Sequence, residues 1–142
     1  MHPYSRRLII AFVFIVLTSS VAGAQEPSLR SISYRLSMSR PQSHLFQVQI
    51  IVELPEQLKE TALQFQMAKW SPGRYGVFDF AKNVQEFRAN AAVTRVDDQT
   101  WSVEPLGSAT LTITYKVFGN DLSGTFSQLD YRHANYNGAL IF

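Results

Sequence analysis

The chain has 142 residues, of which 46% are hydrophobic and 17% are charged, and its 13 Lys and Arg residues nearly balance its 11 Asp and Glu residues. Without Arg6 and Arg7, which lie in a segment that we expect to be removed, the two signs are equal, and nothing suggests a nucleic acid or an anionic membrane as a partner. Because the sequence contains no cysteine, disulfide bonds, thiol catalysis and thiolate metal ligands are excluded.

Residues 1–24 have the three parts of a secretory signal peptide. Arg6 and Arg7 form a positive region, an apolar run follows at 8–17, and Ala-Gly-Ala at 22–24 is a small-residue cleavage site. The alternative is a transmembrane anchor, but so short a run cannot span roughly 30 Å of hydrocarbon as a helix. We therefore predict an exported protein, periplasmic or secreted, whose mature domain is 25–142 and which keeps no stable membrane anchor after cleavage.

Apolar and polar side chains alternate along much of the mature chain, which is typical of half-buried β-strands. The clearest segments are 32–38, 46–54, 63–67 and 111–117. Apolar residues between 80 and 87 have helical spacing, so we expect one helical turn that leads into a strand. About seven short strands with turn signals between them predict an all-β fold, an antiparallel β-sandwich with at most one short helical turn.

The most distinctive local sequence is Trp-Ser-Pro-Gly-Arg-Tyr at residues 70–75. Its centre fits a type II β-turn, because Pro72 presets φ near −65° at the second position and Gly73 supplies a positive φ at the third. Three interpretations remain open: core packing with an Arg74–Asp79 pair; a face that docks onto another domain; or an aromatic platform for a sugar or peptide. We expect Trp70 to be mostly buried.

Together with Asp-Phe-Ala-Lys-Asn-Val-Gln-Glu-Phe at residues 79–87, this motif resembles the N-terminal domain of the glycyl aminopeptidase family of zinc metallopeptidases, the sixty-first metallopeptidase family. The resemblance extends from about Ser33 to Gly138, although the hairpin between Phe87 and Trp101 is shorter than the family leads us to expect. It implies a non-catalytic β domain that packs on a catalytic domain and helps shape its cleft for peptides with N-terminal glycine or alanine.

The resemblance also implies roles for two sets of residues. The first set would form a structural turn or a domain interface and consists of Trp70, Ser71, Pro72, Gly73, Arg74, Tyr75, Asp79 and Asn83. The second set would border the substrate cleft and consists of His133, Asn135, Asn137 and Gly138. The alternative for the second set is a solvated loop that ends in an Asn-Gly turn.

The sequence contains no recognisable catalytic or metal centre. His-Glu-x-x-His is absent, the mature chain has only His44 and His133, and no Gly-x-Ser-x-Gly motif occurs. We expect no enzyme activity and no cofactor from this chain alone, with zinc in a catalytic domain after Phe142. The apolar residues 139–142 are either a final strand of the sheet or, as we expect, the start of that continuation. A free-standing periplasmic binding module that uses the aromatic turn is the alternative function.

Overall fold

The structure, a computed structural model, describes residues 28–71, 73, 75–123 and 126–142. The predicted signal peptide, together with Pro72 and Arg74 of the turn motif, lies outside the described residues. The described residues form nine strands: β1 (Ser31–Ser37), β2 (Leu45–Glu53), β3 (Leu63–Gln66), β4 (Val84–Ala89), β5 (Ala92–Arg95), β6 (Thr100–Glu104), β7 (Thr110–Phe118), β8 (Gln128–Leu129) and β9 (Ala134–Asn135). No helix in this part of the chain is long and apolar enough to cross a membrane.

All strand pairs within the three sheets are antiparallel, which confirms the predicted all-β fold. One sheet has the order β1-β2-β7-β4, the second has the order β3-β6-β5, and β8 pairs with β9. The longest pairing joins the nine residues of β2 to the nine of β7. The described chain has two more strands than the seven expected, because β8 and β9, with two residues each, are too short to show alternation.

Helical structure is limited to four 3-10 turns among the described residues, where the sequence predicted at most one. Three of them, Pro41–Ser43, Glu56–Leu58 and Gly138–Leu140, have three residues each, which is too few for a periodic pattern to reveal. The fourth, Phe80–Asn83, leads into β4 as predicted. The apolar spacing there reflects the burial of Phe80, whose ring stacks on Phe78 with the centroids 5.5 Å apart.

The core lies between the two larger sheets and is built from the alternating residues of β2 and β7. The inward side chains of these strands are Phe46, Val48, Ile50, Val52, Leu111, Ile113, Tyr115 and Val117. Trp101 of β6 stacks on Phe87 of β4 with the ring centroids 4.6 Å apart, which shows that the second sheet faces the first. The predicted alternation therefore identifies the buried face of both central strands correctly.

Candidate functional site

The turn motif begins directly after β3. The backbone N–H of Phe78 donates to the carbonyl oxygen of Lys69 at 2.7 Å and closes the segment into a loop. Gly73 has a φ of 83°, the positive value that a type II turn requires at its third position. Ser71 is buried, whereas Tyr75 is fully exposed. The loop is thus attached through one small polar side chain and presents its large aromatic residues outward.

Trp70 is 53% exposed, so the expectation that it is mostly buried was wrong. The inward side chains of the preceding segment are Phe65 and Met67. β3 ends at Gln66 and the chain bends at Lys69, so Trp70 lies beyond the segment whose alternation places Phe65 and Met67 inward. The core position for a large indole is taken instead by Trp101, which is only 6% exposed.

The structure brings the two segments that the sequence indicated into direct contact. The side-chain amide nitrogen of Asn137 donates to the hydroxyl oxygen of Ser71 at 2.8 Å, although the residues are 66 positions apart. The other end of the same amide accepts from the backbone N–H of Ala139 at 3.1 Å and caps the 3-10 turn Gly138–Leu140. Asn137 therefore fixes the turn motif and the C-terminal segment relative to each other.

The C-terminal segment is held in the core without being a strand. Leu140 and Ile141 are buried, and the hydroxyl of Tyr115 donates to the carbonyl oxygen of Ile141 at 2.6 Å. Burial raises the pKa of Tyr115 well above its ordinary value. The ring of Phe142 meets that of Tyr34 edge to face, with the centroids 5.1 Å apart. The interpretation of 139–142 as a final strand of the sheet was wrong.

The other predicted cleft residues do not converge with Asn137. The carboxylate of Asp130 accepts from the backbone N–H groups of Arg132 at 2.6 Å and His133 at 2.7 Å, and these bonds lower the pKa of Asp130. The His133 side chain is exposed, as is Asn135 in β9, and Gly138 begins the last 3-10 turn. In the described structure, His133 thus lies in a solvated turn held by Asp130, and Asn135 is an exposed residue of a two-residue strand.

Asp79 and Asn83 lie at the two ends of the 3-10 turn that precedes β4. Asp79 precedes the turn and is exposed, while Asn83 is its last residue and is half-buried. The predicted Arg74–Asp79 pair stays a prediction, since Arg74 lies outside the described residues. Both residues are close in sequence to Phe78 and Phe80, so their position is set by the aromatic packing of that segment.

Residues 33–142 match the sequence model of the Peptidase M61 N-terminal domain. The chain belongs to this family. A solved structure with a similar fold is that of an aminopeptidase N family protein from Idiomarina loihiensis, with a TM-score of 0.62 and 24% sequence identity. That match covers 70% of this chain but only 17% of the other, and at this identity the likeness shows the fold alone. No curated protein matches the chain.

The described part of this M61 N-terminal domain does not supply a set of side chains that could bind zinc. Within it, no three His, Cys, Asp or Glu side chains lie close enough together to hold a metal ion. The Nδ1 atom of His44 is 2.6 Å from the carbonyl oxygen of Leu129 and fixes β8 next to the start of β2. Since the described His, Asp and Glu side chains do not form a site that fits zinc, we assign no catalytic step to them.

Sequence reasoning missed two residues that organise the M61 domain around the candidate site. Tyr115 was recognised only as an inward residue of an alternating strand, and its hydroxyl contact with Ile141 left no trace in the pattern. Tyr34 belongs to the alternating segment 32–38, and the pattern did not reveal that its side chain is 54% exposed and contacts Phe142. Both contacts join segments far apart in sequence, so only the three-dimensional fold reveals them.

Proposed function

We propose that this chain is the non-catalytic N-terminal β domain of an exported glycyl aminopeptidase-type zinc metallopeptidase. In this proposal it packs on the catalytic domain and helps shape the cleft that receives the N-terminus of a peptide. The observation that carries it is the match of residues 33–142 to a domain that is by name the N-terminal part of an M61 peptidase. The turn motif and its Asp-Phe-Ala-x-Asn-Val sequel support the same family.

The geometry of the turn supports a docking role for its aromatic residues. Trp70 and Tyr75 are exposed on a loop whose neighbour Ser71 is bonded to Asn137, so the aromatic side chains start from an anchored backbone. Trp and Tyr are enriched at the centres of protein interfaces, because they bury a large area with few rotatable bonds. Zinc and the residues that hold it would lie in the catalytic domain, and the substrates would be peptides with N-terminal glycine or alanine.

The exposure of Trp70 and Tyr75 also favours a second candidate, a free-standing periplasmic β-sandwich that binds a ligand through the aromatic turn. An aromatic platform needs rings that lie side by side and polar partners between them. Among the described residues, neither ring packs against another aromatic side chain. We therefore prefer the docking role.

The reading frame after codon 142 separates the two functions. A His-Glu-x-x-His sequence within the next couple of hundred codons is the result that the peptidase proposal expects, because that helix motif supplies two zinc ligands and a general base. A stop codon directly after Phe142 would support the free-standing module instead.

Export is tested separately by the N-terminus of the mature protein. When the chain is expressed with its leader in a Gram-negative host, we expect N-terminal sequencing of the exported protein to begin at Gln25. Uncleaved protein that stays embedded in the inner membrane would contradict the signal-peptide assignment.

A further inference from the structure

The first half of the apolar face of β1 is left uncovered by the rest of the sandwich, whereas Leu36 farther along the strand is partly buried against the core. Ile32 and Tyr34 pair in register with Val52 and Ile50 of β2 and share their face of the sheet. Val52 and Ile50 are buried, but Ile32 is 44% exposed and Tyr34 is 54% exposed. The apolar residues of β1 thus alternate as in a strand that faces the core, but Ile32 and Tyr34 lie at the surface of the described domain.

This exposure arises because the sandwich is closed on one side and open on the other. On the closed side, β4 of the first sheet is followed after two residues by β5 of the second, and the side chain of Asn90 accepts from the backbone N–H of Thr112 at 2.8 Å. On the open side, β1 and β3 are the outer strands of the two sheets. We call Ile32, Tyr34, Phe65 and Phe142 the open edge.

An apolar cavity of about 110 Å³ lies at the open edge between the two sheets. Tyr34 of β1 and Phe65 of β3 line it from opposite sheets, and Trp101, Tyr115 and Phe142 contribute to a wall that also includes Gln66 and, from β4, Val84 and Phe87. None of these side chains is charged, so the cavity suits an apolar side chain. Residues that dominate binding commonly enter pockets of this kind at the centre of an interface.

The open edge also lacks the features that keep edge strands from pairing with other chains. β1 has seven residues and no proline, and Arg35 is its one charged residue. Arg35 pairs in register with Gln49, on the face opposite to Tyr34. Long edge strands without such protection are normally covered by another part of the protein. Large exposed apolar patches likewise mark interaction sites.

We propose that the open edge is the interface with the catalytic domain, which covers β1 and places an apolar side chain in the cavity. This inference rests on the proposed function. The position of the last residues selects this occupant: Ile141 is fixed by Tyr115, and Phe142 lies against Tyr34. Any residues that follow Phe142 start at the open edge. A short covalent link gives the following domain a high effective concentration at this surface.

Thiol labelling of the full-length protein tests the interface with a matched pair of variants. Ile32→Cys places a thiol on the open edge, and Val96→Cys places one beside β5, at a residue that is 54% exposed in the described domain. In the active enzyme we expect the thiol at position 32 to react at least about tenfold more slowly with a water-soluble maleimide, because the centre of an interface excludes solvent. The reaction of the unsubstituted protein gives the background.

Equal labelling rates at the two positions in an enzyme that releases glycine would overturn the inference and leave the proposed function standing. A stop codon at position 143 would overturn both. Protection at position 32 that disappears on dilution would mean that a second copy covers the edge, and would also overturn the inference. If Ile32→Cys does not fold, hydroxyl-radical oxidation of the unsubstituted full-length protein replaces the labelling experiment. The inference then requires Tyr34 to be oxidised several-fold more slowly than Tyr131, which is 73% exposed in the described domain. Equal oxidation rates of the two tyrosines would contradict the inference.

Discussion

At the scale of single residues, the backbone of Gly73 is the most constrained feature of the turn. Its φ is 83°, and a Cβ atom at this position would meet no other atom within 4 Å. A substitution there is therefore strained by the backbone conformation alone. We expect Gly73→Val to lower the free energy of unfolding by about 1–3 kcal/mol, as measured by urea denaturation of residues 25–142.

Gly138 provides the matched control for that measurement. A Cβ there also has free space, but the backbone is not left-handed. Gly138→Val should change the free energy of unfolding by about 0.5 kcal/mol or less. If both substitutions had the same small effect, the positive φ of Gly73 would not contribute to the stability of the domain.

The two tryptophans of the chain differ in exposure and should differ in their contribution to stability. Trp70 is 53% exposed, so Trp70→Ala should cost about 1 kcal/mol or less. Trp101 is 6% exposed and stacks on Phe87, so Trp101→Ala should cost about 3–5 kcal/mol. Urea denaturation of each variant measures the difference. A loss at Trp70 as large as that at Trp101 would mean that its indole is core and not a docking residue.

The positive φ of Gly73 could be predicted from the sequence because a Pro-Gly pair dictates its own backbone conformation. The exposure of Trp70 could not be predicted, since it depends on where β3 ends and which side chain fills the facing core. The contact between Asn137 and Ser71 could not be predicted from the sequence for a related reason. It joins residues 66 positions apart, and no local pattern encodes such a distance.

At the scale of elements, alternation predicted the inward faces of β2 and β7 but not the exposure of β1. Alternation shows which side chains share a face, whereas burial of that face depends on a second layer. The first sheet has four strands and the second has three, and the face of β1 stays open. The short elements β8 and β9 left no pattern because two residues cannot alternate detectably.

The C-terminal segment depends on the hydroxyl of Tyr115, which gives it a pH-dependent stability. Tyr115→Phe leaves the buried carbonyl of Ile141 without this donor and should cost about 1–3 kcal/mol at neutral pH. Burial raises the pKa of Tyr115 above its ordinary value of 10.0, so the unfolded chain releases the phenol proton first. The contribution is fully present below about pH 10 and is lost as the pH rises above it, by at most about 1.4 kcal/mol per pH unit.

Urea denaturation between pH 8 and pH 11 checks this sign by comparing the wild type with Tyr115→Phe. The stability difference between them should shrink above about pH 10, because only the wild type carries the shifted phenol. A difference that stays constant over this range would show that Tyr115 does not titrate differently in the folded and unfolded states.

At the scale of the whole molecule, the family was accessible from the sequence because the motif at 70–75 and its sequel are specific. The interface proposed at the open edge was not accessible, since its residues look like ordinary core positions in the sequence. The proposal that another domain covers this one rests on three observations: exposed aromatic residues on the turn, a C-terminal segment fixed by Tyr115, and exposed apolar side chains on the edge strand β1.

The most direct test of the central claim compares the product of the complete reading frame with residues 25–142 alone. Both are purified, and their zinc content and release of glycine from a glycyl peptide are measured. We expect about one zinc per chain and glycine release for the full-length protein, because zinc catalysis needs three protein ligands and an open position. We expect neither for residues 25–142. Tightly bound zinc or glycine release by residues 25–142 alone, or a full-length protein that has neither, would contradict the proposed function.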